Sequence, residues 1–287
     1  MVEYEGAPAL VEMQRLTSRL WSYRAGWHIG DLAWGRHQHE GRELEWRTAL
    51  WYAGGVPVAW AWLRLPGHLD LHVDPTRPEV VPAVLDWFER TATAPRTVAA
   101  LDVEEHLVVA LTERGYKPRP YMTFLRRDLA DLPPVPPLPE GYVLRSVTAA
   151  DLVERVAVHT VVWHPSKVTE ASYRSVMAAW PYDPGLDWVV AAPDGRFVAS
   201  CLIWPDTANR VGELEPVGAH PDHRGQRFGS AACLGALHAL RATGATGAVV
   251  YTALEGHPGA LPLYTSLGFR PYALCQMFHH DTGDGEG

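Results

Sequence analysis

The residues best placed to do chemistry in this 287-residue chain form one run, His223-Arg224-Gly225-Gln226-Arg227-Phe228-Gly229-Ser230, which leads from a strand-like segment into a helix-like one. Gly225, Gly229 and Ser230 are small enough for backbone N–H groups to approach an anion closely, and a helix start adds partial positive charge. These features describe a phosphate cradle. The glycine spacing is not that of a dinucleotide-binding fingerprint, and the Lys-Ser or Lys-Thr of a P-loop is missing. An ordinary helix-capping turn would use the same glycines. Just upstream, Arg210 to Ala219 is strand-like yet contains Pro216, which has no N–H to give a neighbouring strand. A bulge or splay is expected there, leaving backbone groups open to an extended ligand that carries amides, such as pantetheine.

Val217-Gly218-Ala219-His220-Pro221-Asp222-His223-Arg224-Gly225-Gln226-Arg227-Phe228-Gly229 resembles the acyl-CoA signature of the GNAT family of N-acetyltransferases. Further on, Leu263-Tyr264-Thr265-Ser266-Leu267-Gly268-Phe269-Arg270 is similar to that family's second hallmark, and both motifs occur in the family's order. The resemblance extends over residues 141–280. It implies an α/β (α+β) fold: a mixed, mostly antiparallel sheet flanked by helices, with a splayed strand at the CoA site. It also implies acetyl-CoA as acyl donor, held by Val217, Gly218, Ala219, Arg224, Gly225, Gln226, Arg227, Phe228, Gly229, Ser230 and His257. Two departures stand out. Arg227 replaces the first glycine of the family's Arg-x-x-Gly-x-Gly, so the backbone there is expected to avoid positive φ. His257, in Gly256-His257-Pro258, replaces an asparagine often found near the start of the late helix.

Aminolysis of a thioester needs a neutral amine, whereas a lysine-like amine with a pKa of about 10.4 is mostly protonated at neutral pH. A base or a water relay must therefore take a proton. If the family's pose holds, Glu213 and Glu215 lie where the attacked carbonyl sits, and Glu215, beside the Pro216 bulge, is the favoured base. The bulge prevents the facing of the two side chains from being read by simple alternation, and both glutamates could instead bind a cationic substrate. The resemblance assigns Tyr264 the proton that goes to the departing CoA thiolate, the competing reading being a core tyrosine. It offers the N–H of Ala219 or Val217 to the oxyanion. The acceptor is then a primary amine of a small molecule or peptide. A hydroxyl acceptor would use the same base, and a non-enzymatic acyl-CoA-binding regulatory module would use the cradle alone.

The elements that must position these residues fall on either side of Leu132-Pro133-Pro134-Val135-Pro136-Pro137-Leu138-Pro139, which suits neither a helix interior nor a central strand. At about 3.1 Å per residue it forms a semi-rigid strap of roughly 25 Å. Upstream, strands are expected at Glu43–Tyr52, Val56–Leu65 and Leu69–Val73, a helix at Val80–Thr91, a strand at Thr97–Leu101, a helix at Glu104–Arg114 and a strand at Tyr121–Leu125. Downstream, the expected strands are Tyr142–Val147, Asp187–Ala192, Phe197–Trp204, Arg210–Ala219, Ala248–Thr252 and Phe269–Phe278. The helices there run from Thr148 to Val162, Thr169 to Trp180, Phe228 to Arg241 and Gly259 to Leu267. The recurring order suggests two copies of one unit. Leu71-His72-Val73-Asp74-Pro75 and Leu111-Thr112-Glu113-Arg114-Gly115-Tyr116 echo the family upstream, but Thr76-Arg77-Pro78-Glu79 supplies no cradle. The organisation expected is a degenerate GNAT-like domain without CoA at 1–131, a linker at 132–140, a catalytic domain at 141–280 and a polar tail at 281–287.

Bulk composition narrows the classes. A 47% hydrophobic and 20% charged chain is that of a globular protein, and a net charge of −8 argues against a nucleic-acid surface. No run is long and apolar enough to span a membrane, and the N-terminus is acidic where a signal peptide is basic, so the cytoplasm is the expected compartment. Cys201, Cys233 and Cys275 are expected as buried thiols. No metal set is expected: His220 and His223 read as cradle contacts, and His279-His280 as the start of the solvated tail. Ser166 and Ser200 lack a nucleophile-elbow context. Trp163, Trp180 and Trp204 are available to an acceptor pocket, with packing as the default role for each.

Overall fold

The computed structural model describes residues 1–5, 8–93 and 95–280, so the expected tail at 281–287 lies outside the described residues. In chain order the first half contains β1 (Val2–Glu5), α1 (Leu10–Leu20), α2 (Ile29–His37), β2 (Trp46–Ala53), β3 (Val56–Arg64), β4 (His68–Val73), α3 (Val81–Thr91), β5 (Arg96–Leu101), α4 (Glu105–Glu113) and β6 (Lys117–Asp128). The second contains β7 (Val143–Ser146), α5 (Leu152–Val162), α6 (Glu170–Ala178), β8 (Asp187–Ala191), β9 (Phe197–Asp206), β10 (Val211–Ala219), α7 (Phe228–Ala242), β11 (Gly247–Ala253), α8 (Ala260–Ser266) and β12 (Arg270–His280).

The strands form one mixed sheet in the order β1-β2-β3-β4-β5-β12-β6-β11-β10-β9-β8-β7. Only β4/β5 and β10/β11 run parallel; the remaining pairs are antiparallel. Alternation along the central strands feeds both faces, as the two-residue period of a strand requires. Trp60 and Trp62 of β3 pack with Met13, Leu16 and Leu32 from α1 and α2. Ala59, Ala61 and Leu63 pack on the other side, with Val84, Leu85 and Phe88 of α3. In the second half Cys201 and Ile203 of β9 meet the apolar face of α7, namely Phe228, Ala231, Leu234, Leu237 and Leu240. Leu202 and Trp204, on the opposite face, meet Tyr173 and Val176 of α6 together with Ala33 and Trp34 of α2.

The two halves exchange strands. β6, from upstream of the strap, pairs with β11 from Gly247↔Asp128 to Ala253↔Met122. β12, from the C-terminal end, pairs with β5 and also with β6. The strap crosses the surface without regular structure. Leu132, Val135 and Leu138 pack on the second-half core, and His238 Nε2 lies 2.9 Å from the carbonyl oxygen of Pro133.

Three expectations need correction. The solvated tail was expected from His279, but both histidines belong to β12, opposite Thr97 and Arg96, and the His280 ring sits 4.9 Å from that of Tyr116. Strand β6 reaches well beyond Tyr121–Leu125, because Pro118 and Pro120 are carried at its irregular pairing with β12. The stretch before Glu43, for which no element was expected, holds α1 and α2, and α2 bears on the site.

Candidate active site

β10 and β11 pair only across Val211–Glu213 and Gly247–Val249, and then part. On its other side β10 shifts register against β9 between Leu214 and Val217, the position of Glu215 and Pro216. The proline thus marks the bulge and the splay together, since it cannot donate to either neighbour. Beyond it Val217 is buried while Gly218 and Ala219 are half-buried, lining the opening between the strands. A Cβ on Gly218 would collide with Val162 of α5, so glycine lets that helix lie against the opened strand.

After β10, Pro221–His223 makes one 3-10 turn, and Arg224 to Arg227 are exposed before α7 begins. Gly225 has φ 80°, with open space where a Cβ would stand. Arg227 has φ 64° and ψ 15°, the left-handed region, as the N-cap of α7. The expectation that this backbone avoids positive φ is therefore wrong: the turn geometry prevails over the cost of about 1–2 kcal/mol for an L-residue in that conformation. The N–H of Ala231 bonds the carbonyl of Arg227 at 2.9 Å, which leaves the N–H groups ahead of it in the first turn directed out of the helix, as helix starts require. Buried Gly229 has room, with Ala219 Cβ and Leu263 Cδ2 both at 3.8 Å from an added Cβ. An anion at this helix start meets N–H donors, two arginines and no acidic residue of the first turn.

Tyr264, on α8, is buried with its ring 6.0 Å from that of Phe269, edge to face. Burial raises its pKa well above the usual phenol range, with Cys233, Cys201 and Glu215 adding to the effect, so the hydroxyl keeps its proton. Glu215 is thus within electrostatic reach of Tyr264. Glu215 is half-buried, whereas Glu213 is wholly buried. Trp204, fully buried, donates its indole N–H to the carbonyl oxygen of Glu215 at 2.7 Å and fixes the bulge.

A third carboxylate comes from the first half. Oxygens of Asp31, Glu213 and Glu215 all lie within 4.8 Å of one another. Burial and their mutual repulsion push all three pKa values well up, so the three carboxyl groups resist ionising together. Asp31 is held by the capping box of α2: the N–H of His28 donates to Asp31 Oδ2 at 2.7 Å, and His28 Nδ1 accepts from the N–H of Gly30 at 3.0 Å. A Cβ on Gly30 would stand 2.5 Å from Trp204 Cβ and 2.6 Å from Glu213 Oε2, so glycine is what allows α2 to press on the site. The readable signal was His28-x-x-Asp31, a capping box with an uncommon N-cap residue.

At the rim, His257 is exposed and its ring lies 5.0 Å from that of Trp163, which extends from the end of α5. His220 and His223 stand beside the cradle with rings 5.5 Å apart. Trp180 is exposed, and its carbonyl oxygen accepts a hydrogen bond from Gln14 Nε2 at 2.9 Å. Cys201, Cys233 and Cys275 are buried free thiols.

The chain is similar to several known proteins. A mycothiol acetyltransferase of Actinosynnema mirum is 36% identical over 151 residues, covering 50% of this chain and 50% of that protein. One of Nocardia farcinica is 34% identical over 159 residues, 51% of this chain and 52% of its own length. The chain therefore spans about half the length of the curated relatives it matches. A GCN5-related N-acetyltransferase from Sphaerobacter thermophilus superposes with a TM-score of 0.63 at 19% identity, covering 97% of this chain and 95% of that one. A tandem GNAT protein from the clavulanic acid biosynthesis pathway gives 0.63 at 16% identity, covering 97% and 96%. These likenesses establish the fold over both halves. Residues 154–269, which hold the splay, the turn into α7 and Tyr264, match the model of the acetyltransferase (GNAT) family.

Proposed function

We propose that the chain transfers an acetyl group from acetyl-CoA to a primary amine by direct attack on the thioester. The pyrophosphate rests on the N–H groups of Arg224 to Ser230, and the pantetheine arm extends along Val217, Gly218 and Ala219 toward His257. The amine nitrogen attacks the acetyl carbonyl and its proton passes to Glu215, directly or through a water. The oxyanion accepts an N–H from the opened strand. As the C–S bond breaks, the Tyr264 hydroxyl gives its proton to the sulfur, releasing CoA as the thiol.

The observation that carries this reading is the parting of β10 from β11 beside the register shift at Glu215 and Pro216, next to the start of α7 with its free donors. Glu215 is preferred over Glu213 because only Glu215 has an exposed surface from which to reach an acceptor. Asp31 brings the first half of the chain to the side of Glu215, so an acceptor reaching Glu215 would meet both halves. In the first half β4 and β5 also part after Leu69↔Val98, but Asp74 takes the N–H of Thr76 at 3.0 Å and its hydroxyl at 2.7 Å, closing that turn on itself. One acetyl-CoA per chain follows from this reading.

The names of the relatives put mycothiol and its deacetylated form at the head of an acceptor panel, followed by amino sugars, polyamines and amino acids. Thiol release should require an amine from this panel and yield a product heavier by one acetyl group. Tight CoA binding with no transfer to any amine would leave a binding module, and transfer to hydroxyls alone an O-acyltransferase.

A further inference from the structure

We propose that His28, from the first half of the chain, is a positioning residue that holds Glu213 as a neutral acid and so leaves the working negative charge to Glu215. The inference rests on Glu215 as the base. His28 Nδ1 lies 3.0 Å from the N–H of Gly30, a donor whose direction the backbone fixes. Nδ1 must therefore present its lone pair, and any ring proton sits on Nε2. The same Nδ1 lies 3.1 Å from Glu213 Oε2. Two acceptors do not bond each other, so this contact is a hydrogen bond only when Oε2 carries a proton and donates it. An imidazolium is ruled out by the same geometry, because its Nδ1–H would point at the N–H of Gly30. Both side chains are wholly buried, where a neutral acid paired to a neutral imidazole avoids the cost of desolvating a charge.

The groups facing this pair come from several elements. Asp31 stands on α2 and Glu215 on the same strand as Glu213. Asp206 faces from the end of β9 and Arg64 from β3. Tyr251 of β11 and Tyr272 of β12 approach with their hydroxyls. With Glu213 neutral, the negative charge nearest Glu215 is reduced, and Glu215 ionises at a lower pH than it would beside a second anion. Burial supports the assignment by pushing His28 down to about 4 and Glu213 well up, outweighing the hydrogen bond with Asp31 that favours charge on Glu213.

The test compares variants of the full chain by infrared spectroscopy and by the pH profile of kcat/KM. At neutral pH the carbonyl stretch of protonated carboxyl groups should lose one carboxyl's intensity in Glu213→Gln. His28→Ala, which removes the acceptor, should weaken the same band and move the acidic limb upward by about one pH unit, because Glu213 then ionises and repels charge on Glu215. His28→Asn places an amide oxygen where Nδ1 was, able to cap Gly30 and accept from Glu213, and should restore both band and limb. Turnover in Glu213→Gln, whose amide N–H still meets Nδ1, should fall less than tenfold, against a loss of at least about 10²-fold in Glu215→Gln. An undiminished band in Glu213→Gln overturns the proposal, as does a limb unmoved in a folded His28→Ala. Should no amine be acetylated by the parent, the base assignment fails, while the band in Glu213→Gln and His28→Asn still decides the protonation of Glu213.

Discussion

Val250, on β11 of the second half, is paired in register with Leu125 on β6 of the first. Both are fully buried, and β6 is paired on its other edge by β12, which returns from the end of the chain to β5. The strap is therefore a covalent tie between two halves that already share strands. A separate 132–287 chain lacks β6 and leaves the facing edges of β11 and β12 open, a template for aggregation. It should be insoluble or melt without a cooperative transition, whereas co-expression with 1–131 should restore a folded complex of both pieces. Isolated pieces that each give a sharp melting transition as monomers would mean that the exchange contributes little to folding.

Arg227 is the second test, since its left-handed backbone is where the family pattern has glycine. Arg227→Gly removes the strain of a Cβ at φ 64°, offset in part by the greater freedom of glycine in the unfolded chain. The variant should be as stable as the parent or up to about 1 kcal/mol more stable in denaturant melts. Its acetyl-CoA affinity should drop if the guanidinium neutralises a phosphate, and the drop should shrink at high salt. A loss of stability would show that the arginine side chain supports the turn.

The turn into α7 and the short helix that bears Tyr264 were legible because each is written in consecutive residues, and the splay because one proline among strand-like residues has one structural consequence. Asp31 and His28 were not legible, because their meeting with Glu213 and Glu215 depends on α2 packing against β9 and β10, a contact between residues far apart in sequence. The strand exchange was hidden for a related reason. Alternation identifies β6 and β12 as strands but carries no information on which edges they join. At Arg227 residue preference points away from positive φ, but the turn into α7 imposes it.

His72 makes the third prediction. It is buried beside Trp60, rings 6.0 Å apart, with no hydrogen-bond partner for either ring nitrogen among the described residues. Burial lowers its pKa from 6.5 to about 4, with His106 the next contributor. The unfolded chain takes up a proton below pH 6.5 that the folded chain refuses until about pH 4. Stability from this group is complete above the upper value, falls as the pH drops between the two, and levels off below the lower. His72→Phe keeps the ring and removes the titration. Its stability should decline less steeply than the parent's in that window, by about 1.4 kcal/mol per pH unit, the weight of one proton. Parallel curves for the two proteins would show that His72 is protonated in place.

Tyr264 gives the sharpest separation of chemistry from packing. The ring is anchored edge to face against Phe269, and the hydroxyl stays protonated because burial raises its pKa. Tyr264→Phe preserves the ring contact and removes only the donor. If that donor serves the CoA thiolate, turnover should fall by roughly 10²- to 10⁴-fold, the usual range for general acid catalysis, with little change in acetyl-CoA affinity. The melting temperature should hold, since only a hydroxyl is lost. A tyrosine that merely packs gives the opposite pattern: turnover stays, and stability drops by about 1 kcal/mol for a lost hydrogen bond. Single-turnover measurements on one purified variant, beside its melting curve, read both quantities without interference from product release. A phenylalanine variant as fast as the parent under those conditions removes Tyr264 from the proton path and leaves the thiolate to depart with water as its donor.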